Sequence, residues 1–216
     1  MIREIRGVVL VDDLPAVDGV YPAHGLSVLL ELVGDEGAVR ILFDSGHSLE
    51  LLRRNAASLG VELGGIDLFF GSLPSSHHIG AALRTRLAAR YDTPWRRAEM
   101  PPGVEVVESG SYWGERGLLV DVGGRRVLFT GCSVHGFEET WGWLASGLWG
   151  VVGGLGLSMR DVHGLDFLGR LVEDGLEAVF PLHSVSPEAR EYILDRLLDG
   201  RLGVESTGVG VEFTIR

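Results

Sequence analysis

Apolar positions along the chain change their period repeatedly, and each change marks an element. "EIRGVVLVDD" near the start, "LSVLLELVG" (residues 26–34) and "AVRILFDSG" (residues 38–46) are short apolar runs that read as strands. The "DEG" between the last two predicts a hairpin turn. In "LELLRRNAASLG" (residues 49–60), Leu49, Leu52, Ala56 and Leu59 share one helical face and Gly60 closes it. "IDLFFGSL" predicts a short buried strand. "HHIGAALRTRLAAR" sets Ile79, Ala82, Leu83 and Leu87 on one face with Arg84, Arg86 and Arg90 elsewhere, which predicts an amphipathic helix. After the Pro-rich connection "YDTPWRRAEMPPG", the strand pattern resumes in "VEVVESG", "GLLVDVGG" and "RRVLFTGC", with a second hairpin turn at "GGRR". "LWGVVGGLGL" and "LEAVFPLHS" read as strands and "LDFLGRLVEDG" as a helix. "SPEAREYILDRLL" reads as a helix opened by a Ser–Pro pair, and "VEFTIR" as a last strand. Both halves run from β-hairpins into helix–strand units, with no short repeat and no linker between them. The expectation is an α+β chain forming one domain over residues 1–216, two packed sheets with helices outside.

Composition narrows the function classes. A chain of 216 residues can bury a sizeable core, and 45% hydrophobic against 23% charged residues argues against wholesale disorder. The net charge of −11 argues against a nucleic-acid partner, which calls for clustered positive charge. No apolar run reaches membrane-spanning length, and the first apolar stretch is too short for a signal peptide, so a cytoplasmic protein is expected. Every Lys+Arg position is arginine, so Schiff-base chemistry and a P-loop lysine are excluded. Glutamine is absent and Asn55 is the only asparagine, a bias that suits a thermophile and equally a GC-rich genome. The lone cysteine, Cys132, excludes an intramolecular disulfide and any Cys-rich zinc motif.

Candidate chemistry concentrates in "GSLPSSHHIG" (residues 71–80), where His77 and His78 follow a strand. Consecutive side chains on a regular helix diverge by about 100°, so both can face one ion only from an irregular turn. A capping and a solvated histidine, or an anion held at a helix N-terminus, are the other readings. His183, in "PLHS", sits at another strand end. Cys132, in "FTGCS", is a small buried hydrophobe, a metal ligand, or a nucleophile if His135 or His183 serves as its base. Asp44, in "FDSG", suits an Asx turn completed by Gly46. His47 and His163 read as surface or packing residues. Trp141, Trp143 and Trp149 form either an aromatic helix face docked on a sheet or a stacking wall for a flat heterocycle.

The order of motifs adds a resemblance. "HGLSVLLEL" (residues 24–32), "ILFDSG" (41–46), the strand ending at the histidines, "VLFTGCS" (127–133), "GG" (153–154) and "FPLHS" (180–184) together resemble the metallo-β-lactamase superfamily. More narrowly they are similar to its dihydropterin-ribofuranosyl-aminobenzene-phosphate-synthase-like branch. The resemblance implies an αββα sandwich with a metal site at one edge of the sheets. Its His-x-His-x-Asp-His motif falls on Leu73, Ser75, His77 and His78, so the first two histidines are missing and a histidine stands for the aspartate. Two further family histidines fall on Val134 and Gly156. The second metal's positions are then His77, His78 and His183, with Cys132 where many members carry a bridging aspartate. Asp44 is implied to orient a metal-bound histidine, His24 to lie near the site, and His135 to be the nearest substitute for the histidine lost at Val134.

Three neutral imidazoles with an open fourth position suit one divalent metal, zinc first. A Cys132 thiolate completing the set would favour structure over catalysis. The implied function is a single-metal hydrolase of a small ester, thioester or phosphoester. The alternative is a non-catalytic relative, without the dinuclear site, that binds a small molecule or serves as a scaffold.

Overall fold

Where turn chemistry predicts hairpins, hairpins form. The computed structural model describes residues 1–110, 113–197 and 206–216. Its elements are β1 (Ile2–Val11), β2 (Ser27–Gly34), β3 (Gly37–Phe43), α1 (Leu49–Ser58), β4 (Leu68–Phe70), α2 (Ser76–Ile79), β5 (Arg90–Asp92) and β6 (Val104–Glu108). They continue with β7 (Arg116–Val122), β8 (Arg125–Thr130), α3 (Phe137–Ala145), β9 (Gly150–Gly153), α4 (Val162–Glu173), β10 (Ala178–Pro181), α5 (Pro187–Tyr192) and β11 (Glu212–Ile215). β2 and β3 pair antiparallel from Val28↔Phe43 to Gly34↔Gly37. Between β7 and β8, Gly123 (φ 59) and Gly124 (φ 90) supply the two positive φ angles that a two-residue hairpin turn requires.

The strands follow one hydrogen-bonded path, β10-β9-β8-β7-β1-β2-β3-β4-β5, with β11 on β1 and β6 on β7. A single parallel pair, Ile2↔Val122, joins its two halves. The expected pair of sheets is therefore one ladder whose halves face each other. Side-chain alternation shows the layering, because neighbours along a strand point to opposite faces. Val28, Leu30 and Ile41 share a buried cluster with Val120, Val127 and Phe129 from the other half. The intervening Leu29 and Leu42 instead pack with Leu52 and Ala56 of α1. Leu119 and Leu128 pack with Trp141 of α3 and Leu165 and Leu168 of α4. Helix, sheet, sheet and helix thus stack around three apolar layers, and burial on both faces explains why the stretches 28–30, 41–43, 118–120 and 127–129 of these strands are continuously apolar. Each fully buried Leu or Val contributes roughly 1.5–3 kcal/mol.

The amphipathic helix expected after the paired histidines does not form. α2 stops at Ile79 and Leu83 is 61% exposed. The reason is tertiary competition for backbone donors. Ala81 N–H donates to the Gly46 carbonyl at 3.1 Å, and Ala82 N–H to Ser45 Oγ at 3.1 Å. A helix needs those donors for its own carbonyls. Ser186 does cap α5, accepting from Ala189 N–H at 3.3 Å, with Pro187 in the first turn. That helix passes into a π-turn (Ile193–Leu197), and the last residue of its predicted span, 198, lies outside the described residues. No helix among the described residues is long and apolar enough to cross a membrane.

Register sets the position of the site. Phe43 pairs with Phe70, Thr130 with Gly153, and Gly153 with Pro181, all in parallel. The carboxyl ends of β3 and β4, and those of β8, β9 and β10, are thereby aligned within each half, and the residues that follow them supply the site.

Candidate metal centre

Five potential donors come together at these strand ends. Ligand atoms of His78, Cys132 and His183 all lie within 4.8 Å of one another, as do those of His24, His77 and His183. Ring centroids are 4.6 Å apart for His77 and His78, 5.2 Å for His78 and His183, and 4.7 Å for His24 and His77.

An oxygen atom stands behind every ring. His78 is fully buried, and its Nδ1 donates to Asp44 Oδ2 at 2.6 Å. His183, also fully buried, donates from Nδ1 to Asp13 Oδ2 at 3.0 Å. The other oxygen of Asp13 accepts from His24 Nδ1 at 3.2 Å. His77 Nδ1 lies 2.6 Å from Ser75 Oγ. An ionised carboxylate only accepts, so it fixes a proton on Nδ1 and turns Nε2 away from the carboxylate. Nε2 of both His78 and His183 is buried without a hydrogen-bond partner. Such orphans are costly inside a protein. Facing a cysteine sulfur, they have the form of donors awaiting an ion, and two imidazoles with a thiolate are a zinc-type set.

Electrostatics couples the same groups. Burial raises the Cys132 thiol, but the rings of His183, His77 and His78 more than offset that and bring it down to about 4. Burial opposes charge on His78, yet the adjacent Asp44 carboxylate pushes it up to about 10. His183 is raised against its own burial by Asp13 and Cys132. Asp13, though half-buried, is held well below the usual carboxylate range by the His183 ring.

The turns that carry these groups adopt an uncommon backbone conformation. Among the described residues, the non-glycine residues with positive φ are Asp44 (55°), Ser133 (54°) and Ser184 (65°). They follow β3, Cys132 and His183 respectively. Such conformations persist only where the surroundings hold them. Glu115, fully buried, accepts from the backbone N–H of Cys132 (2.8 Å), Ser133 (2.6 Å) and Val134 (3.1 Å). Asp13 accepts from Ser184 N–H at 3.2 Å. Asp44 itself accepts from Ser72 N–H at 2.8 Å and Ser72 Oγ at 2.6 Å.

Several sequence expectations change here. His24, expected beside the site, belongs to a potential ligand triad. His135, expected as the nearest substitute ligand, belongs to neither triad: it is exposed and lines a separate cavity of about 250 Å³ with Glu138, Asp161 and His163. At the positions where the resemblance implies further histidines, Leu73 is buried, Val134 is 40% exposed, and Gly156 (φ 60°) leaves no room, since a Cβ there would sit 2.2 Å from Ser133 O. Ser75 holds the His77 ring instead. The three tryptophans do not form a common wall. Trp141 is buried and donates to Ser133 Oγ at 3.2 Å, Trp143 is exposed, and Trp149 donates to Glu177 at 2.9 Å. Asp13 and Glu115 were missed altogether. Asp13 had a signal in the carboxylates that end the "VLVDD" strand; Glu115, in "GERG", had none.

Comparison with known proteins supports the fold. No protein-family model matches the chain, and no curated protein sequence matches it. Among solved structures, Tm1679, a metal-dependent hydrolase of the β-lactamase superfamily, superposes with a TM-score of 0.72 at 19% identity, covering 97% of this chain and 98% of that one. YhfI, a metallo-β-lactamase fold protein from Bacillus subtilis, gives 0.62 at 12% identity, covering 98% and 100%. Zn(2+)-bound PqqB from Methylobacterium extorquens gives 0.50 at 13% identity, covering 96% and 99%.

Proposed function

With the metallo-β-lactamase fold as the frame, we propose that the chain is a single-ion, metal-dependent hydrolase of a small ester or phosphoester, holding zinc through His78, Cys132 and His183. The observation that carries this reading is the pair of buried, unpartnered Nε2 atoms facing one sulfur. A bound zinc supplies Lewis acidity toward a carbonyl or phosphoryl oxygen. Asp44 and Asp13 orient the two imidazoles, and Glu115 fixes the backbone that presents Cys132. The ordered motifs support the dihydropterin-type branch, and the absence of donors at Leu73 and Val134 supports one ion in place of two.

Metal analysis of protein purified without chelator or affinity tag tests the ion. One equivalent per chain, lost in His78→Ala, supports it. No metal after incubation with zinc, with unchanged thermal stability, sinks it. Turnover of p-nitrophenyl esters and phosphodiesters by the zinc-loaded protein tests the hydrolase. A second reading, a metal-holding protein without hydrolysis, is favoured by His77, whose ring could fill the position that catalysis needs open. Full metal occupancy without turnover on either ester class would select it.

A further inference from the structure

Among the described residues no more than three of the five donors have ligand atoms within 4.8 Å of one another. They form two triads, His78–Cys132–His183 and His24–His77–His183, that share only His183. The Nδ1 of His183 is committed to Asp13, so a single Nε2 lone pair must serve both. Without it, the second triad keeps only the two rings of His24 and His77. The triads also differ in access. His78 and His183 are fully buried, whereas the His24 side chain is 73% exposed and His77 is half-buried. One carboxylate, Asp13, orients both His24 and His183. The outer triad is therefore built as a donor set, with ring centroids of His24 lying 4.7 Å from both His77 and His183.

Building on the proposed inner site, we infer that His24, His77 and His183 form a second cation position, mutually exclusive with the first, at which a divalent ion docks before passing inward. The ion enters on the exposed His24 and the half-buried His77 and reaches the buried Nε2 of His183 from there. His183 stays bound while the nitrogens of His24 and His77 leave and are replaced by His78 Nε2 and Cys132 Sγ. Protons displaced from the inner donors go to solvent, and no oxidation state changes. The direction follows from donor chemistry: a borderline-soft ion prefers the site that adds a thiolate to an otherwise nitrogen set.

Cobalt(II) added to the metal-free protein tests this, because a sulfur-to-cobalt charge-transfer band reports Cys132 ligation separately from the ligand-field bands. The parent is expected to bind one cobalt, with ligand-field absorption preceding charge transfer in stopped flow. His24→Ala should reach the same final spectrum, with loading slowed about tenfold or more, the scale on which removal of a metal-site group acts. His24→Phe keeps a ring without a donor and should be equally slow, which separates lost ligation from lost packing. Cys132→Ser should still hold one cobalt, without the charge-transfer band and in faster exchange with chelator. Loading of both His24 variants at the parent rate, no cobalt on Cys132→Ser, or two cobalts on the parent would each overturn the inference and leave the inner site standing. A parent that binds no cobalt at all would remove the inner site, and this inference with it.

Discussion

His77 and His78 are neighbours in sequence and differ in almost every physical respect. His78 is fully buried, backed by a carboxylate that is itself fully buried, and held strongly toward its charged form. His77 is half-buried and backed by Ser75, a neutral hydroxyl two residues earlier. The same division runs through the whole centre. On the buried side lie Asp44 with its partner Ser72, and Glu115 with three backbone N–H groups, beside positive-φ turns; on the open side lie His24 and His77 with lighter support. A charge is placed in a protein interior only if partners satisfy it, and once placed it is costly to strip of them. The buried side should therefore be sensitive to single substitutions, and the open side tolerant.

The largest effect is expected at Asp44. It accepts from His78 and twice from Ser72, so Asp44→Ala strips His78 of its buried carboxylate and Ser72 of its acceptor, and should destabilise the metal-free protein by about 3–5 kcal/mol in urea unfolding. Asp44→Asn tolerates the positive φ and keeps an acceptor for Ser72 N–H, so it should recover part of that stability. It should not recover metal affinity, which ought to stay about 10- to 100-fold below the parent. Full recovery of affinity in Asp44→Asn would show that the carboxylate charge is not what orients His78.

Next comes Glu115. Glu115→Gln keeps the side-chain shape but replaces one acceptor oxygen with a donor, facing three backbone N–H groups. A loss of about 1–3 kcal/mol is expected, the range for a buried group left unsatisfied. The displacement falls on residues 132–134, so the sulfur-to-cobalt band should weaken along with stability. A stable variant with an unchanged band would free Glu115 from any part in positioning Cys132.

The asymmetry has a pH signature as well. His78 is raised from 6.5 to about 10, so its pairing with Asp44 stabilises the metal-free fold fully below pH 6.5. That contribution is lost as pH rises through about 10. Metal affinity should move the other way, because the ion and a proton compete for the same Nε2. Calorimetric titration with zinc from pH 6.5 to pH 8.5, in buffers of different ionisation enthalpy, should show proton release on binding and an affinity that climbs with pH, by up to about tenfold per unit. An affinity independent of pH would mean that His78 is not a ligand.

Much of this architecture was legible in the chain, for reasons that also mark where legibility ends. Strands, hairpins and the N-cap of α5 follow from local period and turn residues, which act over a few positions. His77, His78 and His183, with Cys132 as a possible further ligand, could be singled out because they stand at strand ends and in an order of motifs that resembles a known superfamily. What failed was long-range competition. The apolar face running from Ile79 to Leu87 was a sound helical period, overruled when residues 45 and 46 took the donors of Ala81 and Ala82. Asp13 reaches His183 across a separation of 170 residues, and no local pattern announces such a pairing. The division of the donors into two triads depends on which ring nitrogen each oxygen occupies, and residue type alone does not specify that.

The smallest effect, and the sharpest control, is expected at Ser75. Ser75→Ala removes the hydroxyl 2.6 Å from His77 Nδ1 and leaves every buried-side partner in place. A hydrogen bond between neutral groups in a half-exposed setting contributes on the order of 0.5–1.5 kcal/mol, and water can replace part of it here. The expected loss in urea unfolding is therefore under about 1 kcal/mol, with the sulfur-to-cobalt band unchanged. Loading should slow modestly, because the His77 ring is less well held at the outer position. The value of the variant lies in its contrast with Asp44→Ala, since the two remove the oxygen partners of adjacent histidines. Equal destabilisation by both would mean that burial and charge do not separate the two sides. The distinction between an anchored inner site and a yielding outer one would then fail, however the metal itself is bound.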